Sequence, residues 1–162
     1  RIIQRLVEFC PALQVHRLVE RLVPEVGMLS RHPYGNYVVQ NLFQHGTNEQ
    51  RRHMVGGLAK EIRFLASDFC GCAVVTAALT YSPDVDRQAL AKSLLSEPGL
   101  LVFMAGTRHG HTAVIQVLQL LAGSEGQVAN QRLRSEAGAL KVSRYGRIIL
   151  EQLDASEAQL LC

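Results

Sequence analysis

An apolar pair followed by a polar residue recurs five times along the chain: Ile2-Ile3-Gln4, Val38-Val39-Gln40, Val74-Val75-Thr76, Val114-Ile115-Gln116 and Ile149-Leu150-Glu151. The residues just ahead of the pairs are Arg1, Tyr37, Ala73, Ala113 and Ile148, at intervals of 36, 36, 40 and 35 residues. Units of this length with helical hydrophobic periodicity cannot bury their apolar faces singly, so neighbouring units must stack. The expected fold is an all-α solenoid. Strand signals are absent: there is no sustained period-2 alternation and no Asn-Gly hairpin turn.

Within each unit the punctuation predicts a short connector helix, a facing helix and a capped backing helix. Pro11 opens a helix running to about Leu22, and Pro24 ends it. Residues 26–30 and 61–66 form connectors. Thr47-Asn48-Glu49-Gln50, Ser124-Glu125-Gly126-Gln127 and Ser156-Glu157-Ala158-Gln159 share the capping-box spacing, and Ser82-Pro83 is expected to cap the helix that follows it. Ser96-Glu97-Pro98-Gly99 is a break that opens the longest interval. The units then run roughly over 1–30 (truncated), 31–66, 67–106 and 107–142, with a terminal cap at 143–162.

Composition narrows the function classes. With 48% hydrophobic and 19% charged residues, a packed core is affordable and disorder is excluded. The net charge of +3 permits a nucleic-acid partner without requiring one. No apolar run reaches the roughly 18 residues of a membrane span, so no membrane partner is expected. Cys70-x-Cys72 and His109-x-His111 lack zinc-site spacing and a second pair, so neither metal nor cofactor is expected, and reduced thiols fit best. Ser143, Asp154 and the histidines form no nucleophile–base spacing, so no catalytic residue is assigned and an enzyme is not expected.

The stretch that carries chemistry is Pro33-Tyr34-Gly35-Asn36-Tyr37-Val38-Val39-Gln40-Asn41-Leu42-Phe43. On a helix, Val38, Val39, Leu42 and Phe43 make one apolar face, while Asn36 and Gln40 stand four apart with Tyr37 beside them. Two amides can hydrogen-bond a base edge, and the ring offers a stacking surface. A polar face with a covering tyrosine is the plainer alternative.

Tyr34-Gly35-Asn36-Tyr37-Val38-Val39-Gln40 with Gln44-His45-Gly46 closely resembles a Pumilio-homology (PUF) repeat. Arg1-Ile2-Ile3-Gln4-Arg5-Leu6-Val7-Glu8 resembles the repeat before it, and Tyr145-Gly146-Arg147-Ile148-Ile149-Leu150-Glu151 the half-repeat that closes the domain. The resemblance implies a right-handed, armadillo-like superhelix of three-helix Pumilio repeats, here the C-terminal repeats of the domain. It implies a concave face that binds single-stranded RNA, commonly in messenger 3′ untranslated regions, for translational repression or decay in the cytoplasm. DNA is not an expected partner.

Carried onto this chain, the resemblance makes Asn36 and Gln40 the edge pair for a uracil and Tyr37 the stacking residue. Gln4 takes one edge position of the first unit and Arg1 its stacking position. Cys72 with Thr76, and Thr112 with Gln116, fall on the edge positions of the next two units, where Ala73 and Ala113 replace the stacker. Two other readings stay open at this point: a nucleolar relative working on ribosomal RNA with loose sequence preference, and a protein-binding solenoid. Protein effectors would meet the convex side, near Arg51, Arg52 and His53, or the 96–108 connection around Phe103 and Met104. The N-terminal unit, without a cap, is expected to fray around Ile2, Ile3 and Leu6.

Overall fold

The computed structural model describes residues 1–160, with side chains through Ser156. Among them are thirteen α-helices and no strand. Facing helices are α1 (Ile2–Phe9), α4 (Gly35–His45), α7 (Phe69–Tyr81), α10 (His111–Leu120) and α13 (Arg144–Leu160). Backing helices are α2 (Ala12–Leu22), α5 (Asn48–Lys60), α8 (Asp84–Ser96) and α11 (Gly123–Ser135). Short connectors α3 (Val26–Arg31), α6 (Ile62–Ser67), α9 (Leu100–Ala105) and α12 (Ala137–Val142) precede each later facing helix. The facing helices stack in a row, α1 on α4, α4 on α7, α7 on α10 and α10 on α13, with each connector packed on the facing helix it leads into. This is the expected solenoid. None of the described helices is long and apolar enough to cross a membrane.

One device recurs at each of the four junctions between a connector and the facing helix it leads into. Gly35, Gly71, Gly110 and Gly146 lie against the main-chain carbonyls of Leu29, Leu65, Met104 and Leu140. A Cβ on Gly35 would sit 2.8 Å from its carbonyl and one on Gly110 2.6 Å, while at Gly71 and Gly146 the overlap is deeper still. The glycine N–H is then captured by the residue three positions earlier. His32 Nδ1 accepts at 3.0 Å, Asp68 Oδ1 at 2.8 Å, Thr107 Oγ1 at 3.0 Å and Ser143 Oγ at 2.8 Å. Each bond satisfies a main-chain donor that the helix start would otherwise orphan.

The core is one continuous cluster running through all units, with Phe43, Met54, Leu58, Leu65, Leu79, Leu90, Leu94, Met104, Leu133 and Ile149 among its fully buried members. The N-terminal edge is barer: Ile2, Leu6, Phe9 and Leu13 are exposed, and Ile3 is half-buried.

Several expected caps are corrected. Thr47 and Gln50 do form a reciprocal capping box at α5. Ser124, by contrast, lies inside the first turn of α11, which begins at Gly123 after an uncapped Ala122. Ser156 sits within α13 and donates to Gln152 O at 2.9 Å, so it caps nothing; the side chain of Gln159 lies outside the described residues. Pro83, not Ser82, occupies the cap position of α8, and Ser82 is buried. A Ser/Thr-x-x-Glu/Gln spacing marks a helix start only where the chain turns ahead of it, and at 124 and 156 the helix was already under way. In the 96–108 connection, Met104 is core while Phe103 is exposed.

Candidate nucleic-acid interface

The turn singled out in the sequence opens α4. Asn36 is buried, with Nδ2 donating to His32 O and to Pro33 O, both at 2.9 Å. Its Oδ1 accepts from Gln40 Nε2, also at 2.9 Å. The expectation of two exposed amides is therefore corrected in one half. Both Asn36 N–H donors are therefore taken up by main-chain carbonyls, and only the second lone pair of Oδ1 is left for a base edge. Gln40 is half-buried, and among the described residues its Oε1 has no protein donor. Tyr37, next to this pair in sequence, is 54% exposed. Arg51 closes the other end of α4, its guanidinium donating from Nε to Phe43 O at 2.6 Å and from Nη2 to Gln44 O at 2.8 Å. That side chain is a cap for the site helix rather than part of a free basic cluster, and Arg52 beside it pairs with Asp86 at 3.5 Å.

On α1, Arg1 is exposed and Gln4 half-buried. With Arg5, Glu8 and Asn41 they line a cleft of about 280 Å³ between α1 and α4. On α7 the assignment of Cys72 to a base edge is corrected. Cys72 is buried and its thiol donates to Ala66 O at 3.0 Å. Burial, then the neighbouring Asp68 carboxylate, pushes that thiol up to about 11. Thr76 is half-buried and donates to Cys72 O at 2.9 Å.

Residues 1–23 and 25–58 match the model of the Pumilio-family RNA binding repeat. Pumilio homolog 9 of Arabidopsis thaliana is 28% identical over 155 residues, spanning 93% of this chain, and Putative pumilio homolog 10 of the same plant matches at the same identity over the same span. Residues 1–58 carry the Pumilio repeat, and the chain as a whole is similar to Pumilio homologues. It spans 27% and 29% of the lengths of those two relatives. The Puf3 RNA binding domain bound to Cox17 RNA 3′ UTR recognition sequence site A superposes with a TM-score of 0.80 at 21% identity, covering 93% of this chain and 43% of that one. PUF-8 in complex with PBE-RNA gives 0.78 at 19% identity, covering 95% and 46%. At these identities the structures speak for the fold alone.

In α10 the packed glycine sets a register different from the one the apolar pairs suggest. Measured from the packed glycines, the units are 36, 39 and 36 residues apart, and the residues two and five after each glycine fall at Tyr37/Gln40, Ala73/Thr76, Thr112/Ile115 and Ile148/Glu151. In α10 the apolar run Ala113-Val114-Ile115 allowed a slip of one residue. Thr112, exposed, stands where Tyr37 stands in α4, not where Asn36 does. Gln116 is likewise off the edge position: its Nε2 reaches back to Thr80 Oγ1 at 2.8 Å and ties α10 to α7. The position matching Asn36 is His111, whose ring lies 4.8 Å from that of Tyr145. Sequence reasoning missed His111 and Ile115 because it aligned on the apolar pair. The glycine with a His, Asp, Thr or Ser three residues before it was the better marker.

Proposed function

We propose that this chain binds single-stranded RNA along its facing layer, with α4 taking a uracil between the Gln40 amide and the Tyr37 ring. The arrangement around Gln40 carries the reading. One N–H is held by the buried Asn36, which leaves an oriented amide oxygen and a second N–H beside an exposed phenol. Uracil offers the complementary edge, a donor N–H flanked by carbonyl oxygens. Gln4, one unit earlier, offers a second amide with Arg1 as a planar stacking partner. RNA-bound solved structures of this fold include 3′ UTR recognition sequences, which supports messenger 3′ untranslated regions as the targets; post-transcriptional control in the cytoplasm is part of the same proposal. On this reading residues 1–162 supply the C-terminal repeats of a longer Pumilio domain.

Sequence preference is concentrated in the first half. Cys72 is buried, Ala73 cannot stack, and Ile115 offers no hydrogen bond, so α7 and α10 accept bases loosely. Those losses also favour a second reading, a relative that binds structured or ribosomal RNA with weak preference. The triple substitution Asn36→Ala, Tyr37→Ala, Gln40→Ala tests both. Binding of a uridine-containing oligonucleotide is expected to weaken by at least the roughly 1–3 kcal/mol of one lost stacking contact. Unchanged affinity would remove RNA from the facing layer and leave a protein-binding solenoid. Equal weakening for uridine- and cytidine-substituted strands would favour the looser reading.

A further inference from the structure

Charge is sorted along the facing layer. The three central facing helices, Gly35–His45, Phe69–Tyr81 and His111–Leu120, contain no Asp, Glu, Lys or Arg at all. Cations gather at the two ends instead. Arg1 and Arg5 stand at the α1 end, Arg108 in the turn ahead of α10, Lys141 in the last turn of α12, and Arg144 and Arg147 in the first turn of α13. All four of the latter are exposed, and none has a carboxylate partner among the described residues. Glu151, one turn beyond Arg147, is exposed and not paired with it. In the backing and connector helices, Arg31, Arg52, Arg63, Arg87, Lys92 and Arg134 are taken up by Glu61, Asp86, Glu97, Asp84, Glu125 and Asp154, while Arg17, Arg21 and Lys60 are exposed and carry no ion pair among the described residues.

The end cluster is contiguous. His111 Nδ1 lies 2.9 Å from Arg108 O, the His111 ring meets Tyr145, Arg144 adjoins Tyr145 in sequence, and Arg147 Nη1 donates to Lys141 O at 3.0 Å. His109 stacks edge-on against the exposed Phe69 at 3.9 Å, which carries the same rim across to α7.

We infer that Arg108, Lys141, Arg144 and Arg147 form a sequence-independent clamp for the sugar-phosphate backbone of the RNA strand whose bases cross α4. This rests on the RNA reading above and extends it to the units that lost their base-reading side chains. An uncharged centre is suited to bases and the cationic end to phosphates. Four unpaired cations on one rim, with no carboxylate engaged, complement a polyanion that runs past the last base contacted.

Phosphate contact has a signature that base contact lacks. Each phosphate neutralised on a single strand adds about 0.7 to the slope of log affinity against log salt. The triple variant Arg108→Gln, Arg144→Gln, Arg147→Gln should therefore flatten the slope by about 2 for a uridine-containing 12-nucleotide strand, with weaker binding at low salt and little change in preference for uridine over cytidine. The control Arg17→Gln, Arg21→Gln, Lys60→Gln removes the same charge from exposed, unpaired positions on the backing layer and should leave the slope within about 0.5 of the original. A far-UV melt checks that both variants remain folded.

A slope unchanged in the rim variant, or lowered equally in the control, overturns the clamp while wild-type uridine preference leaves the RNA reading standing. No binding of any RNA by the wild-type chain sinks both. If a polyaspartate peptide binds the wild type as tightly as the RNA and is lost by the rim variant, the surface takes acidic protein segments and the proposal is overturned.

Discussion

Gln40 Nε2 donates to Asn36 Oδ1 at 2.9 Å across one turn of α4, and Asn36 is itself anchored to the two carbonyls that precede the helix. The two amides are thus unequal. One is spent inside the protein to aim the other.

Substitution should separate them. Gln40→Ala is expected to leave stability nearly unchanged and to cut discrimination for uridine over cytidine by about 1–3 kcal/mol, by analogy with amide contacts to DNA bases. Asn36→Ala strips partners from His32 O, Pro33 O and Gln40 in a buried setting, so it should lower unfolding stability by about 1–3 kcal/mol as well as weaken RNA binding. Urea titrations and filter binding on the two single variants distinguish the roles. Equal stability of both would show that Asn36 is not structural.

The packed glycines make a prediction with opposite signs. Gly71→Ala or Gly146→Ala forces a Cβ into a connector carbonyl and should destabilise by at least about 2 kcal/mol, since main chain and not a flexible tip must move. Gly56, within α5, would meet nothing within 4 Å, so Gly56→Ala should stabilise by about 0.5–1 kcal/mol. Thermal melts of the three variants give the comparison directly.

Cys72 links stability to alkaline pH. Its folded thiol titrates at about 11, above the usual 9.0, because burial and Asp68 disfavour the thiolate. An unfolded chain loses that proton first, so the contribution is fully present below pH 9 and lost as pH rises towards 11, by at most about 3 kcal/mol. Unfolding free energy of the wild type should fall relative to Cys72→Ala over this window, and the two should run parallel between pH 6 and 8.

Arg51→Ala removes the bonds that close the C-terminal end of α4 and should cost about 1–2 kcal/mol, with faster hydrogen exchange in the last turn of that helix. Arg51→Lys should rescue little, because an ammonium cannot span Phe43 O and Gln44 O with the planar fork used here. Full rescue by lysine would mean that charge at the helix end, and not the paired bonds, does the work.

How much of this was legible in the chain itself follows from the range of the forces involved. Helical periodicity and recurrence are local and additive, so the all-α solenoid, the facing helices and the Tyr37–Gln40 turn could be read from residue order. Caps and register depend on where the chain turns. Ser124 and Ser156 carry a start signal inside helices that begin elsewhere, and Ala113-Val114-Ile115 fits the apolar template in two registers. Packing chooses between them, because Gly110 lets the Met104 carbonyl approach α10, and in residue order only the three-residue spacing of Thr107 and Gly110 marks that choice. Burial of Asn36, the inward turn of Cys72 and the gathering of Arg108, Arg144 and Arg147 on one rim likewise join residues from different turns or units. A side chain's neighbours across such gaps are settled when the layers close, so its exposure and remaining hydrogen-bonding capacity were tertiary facts from the start.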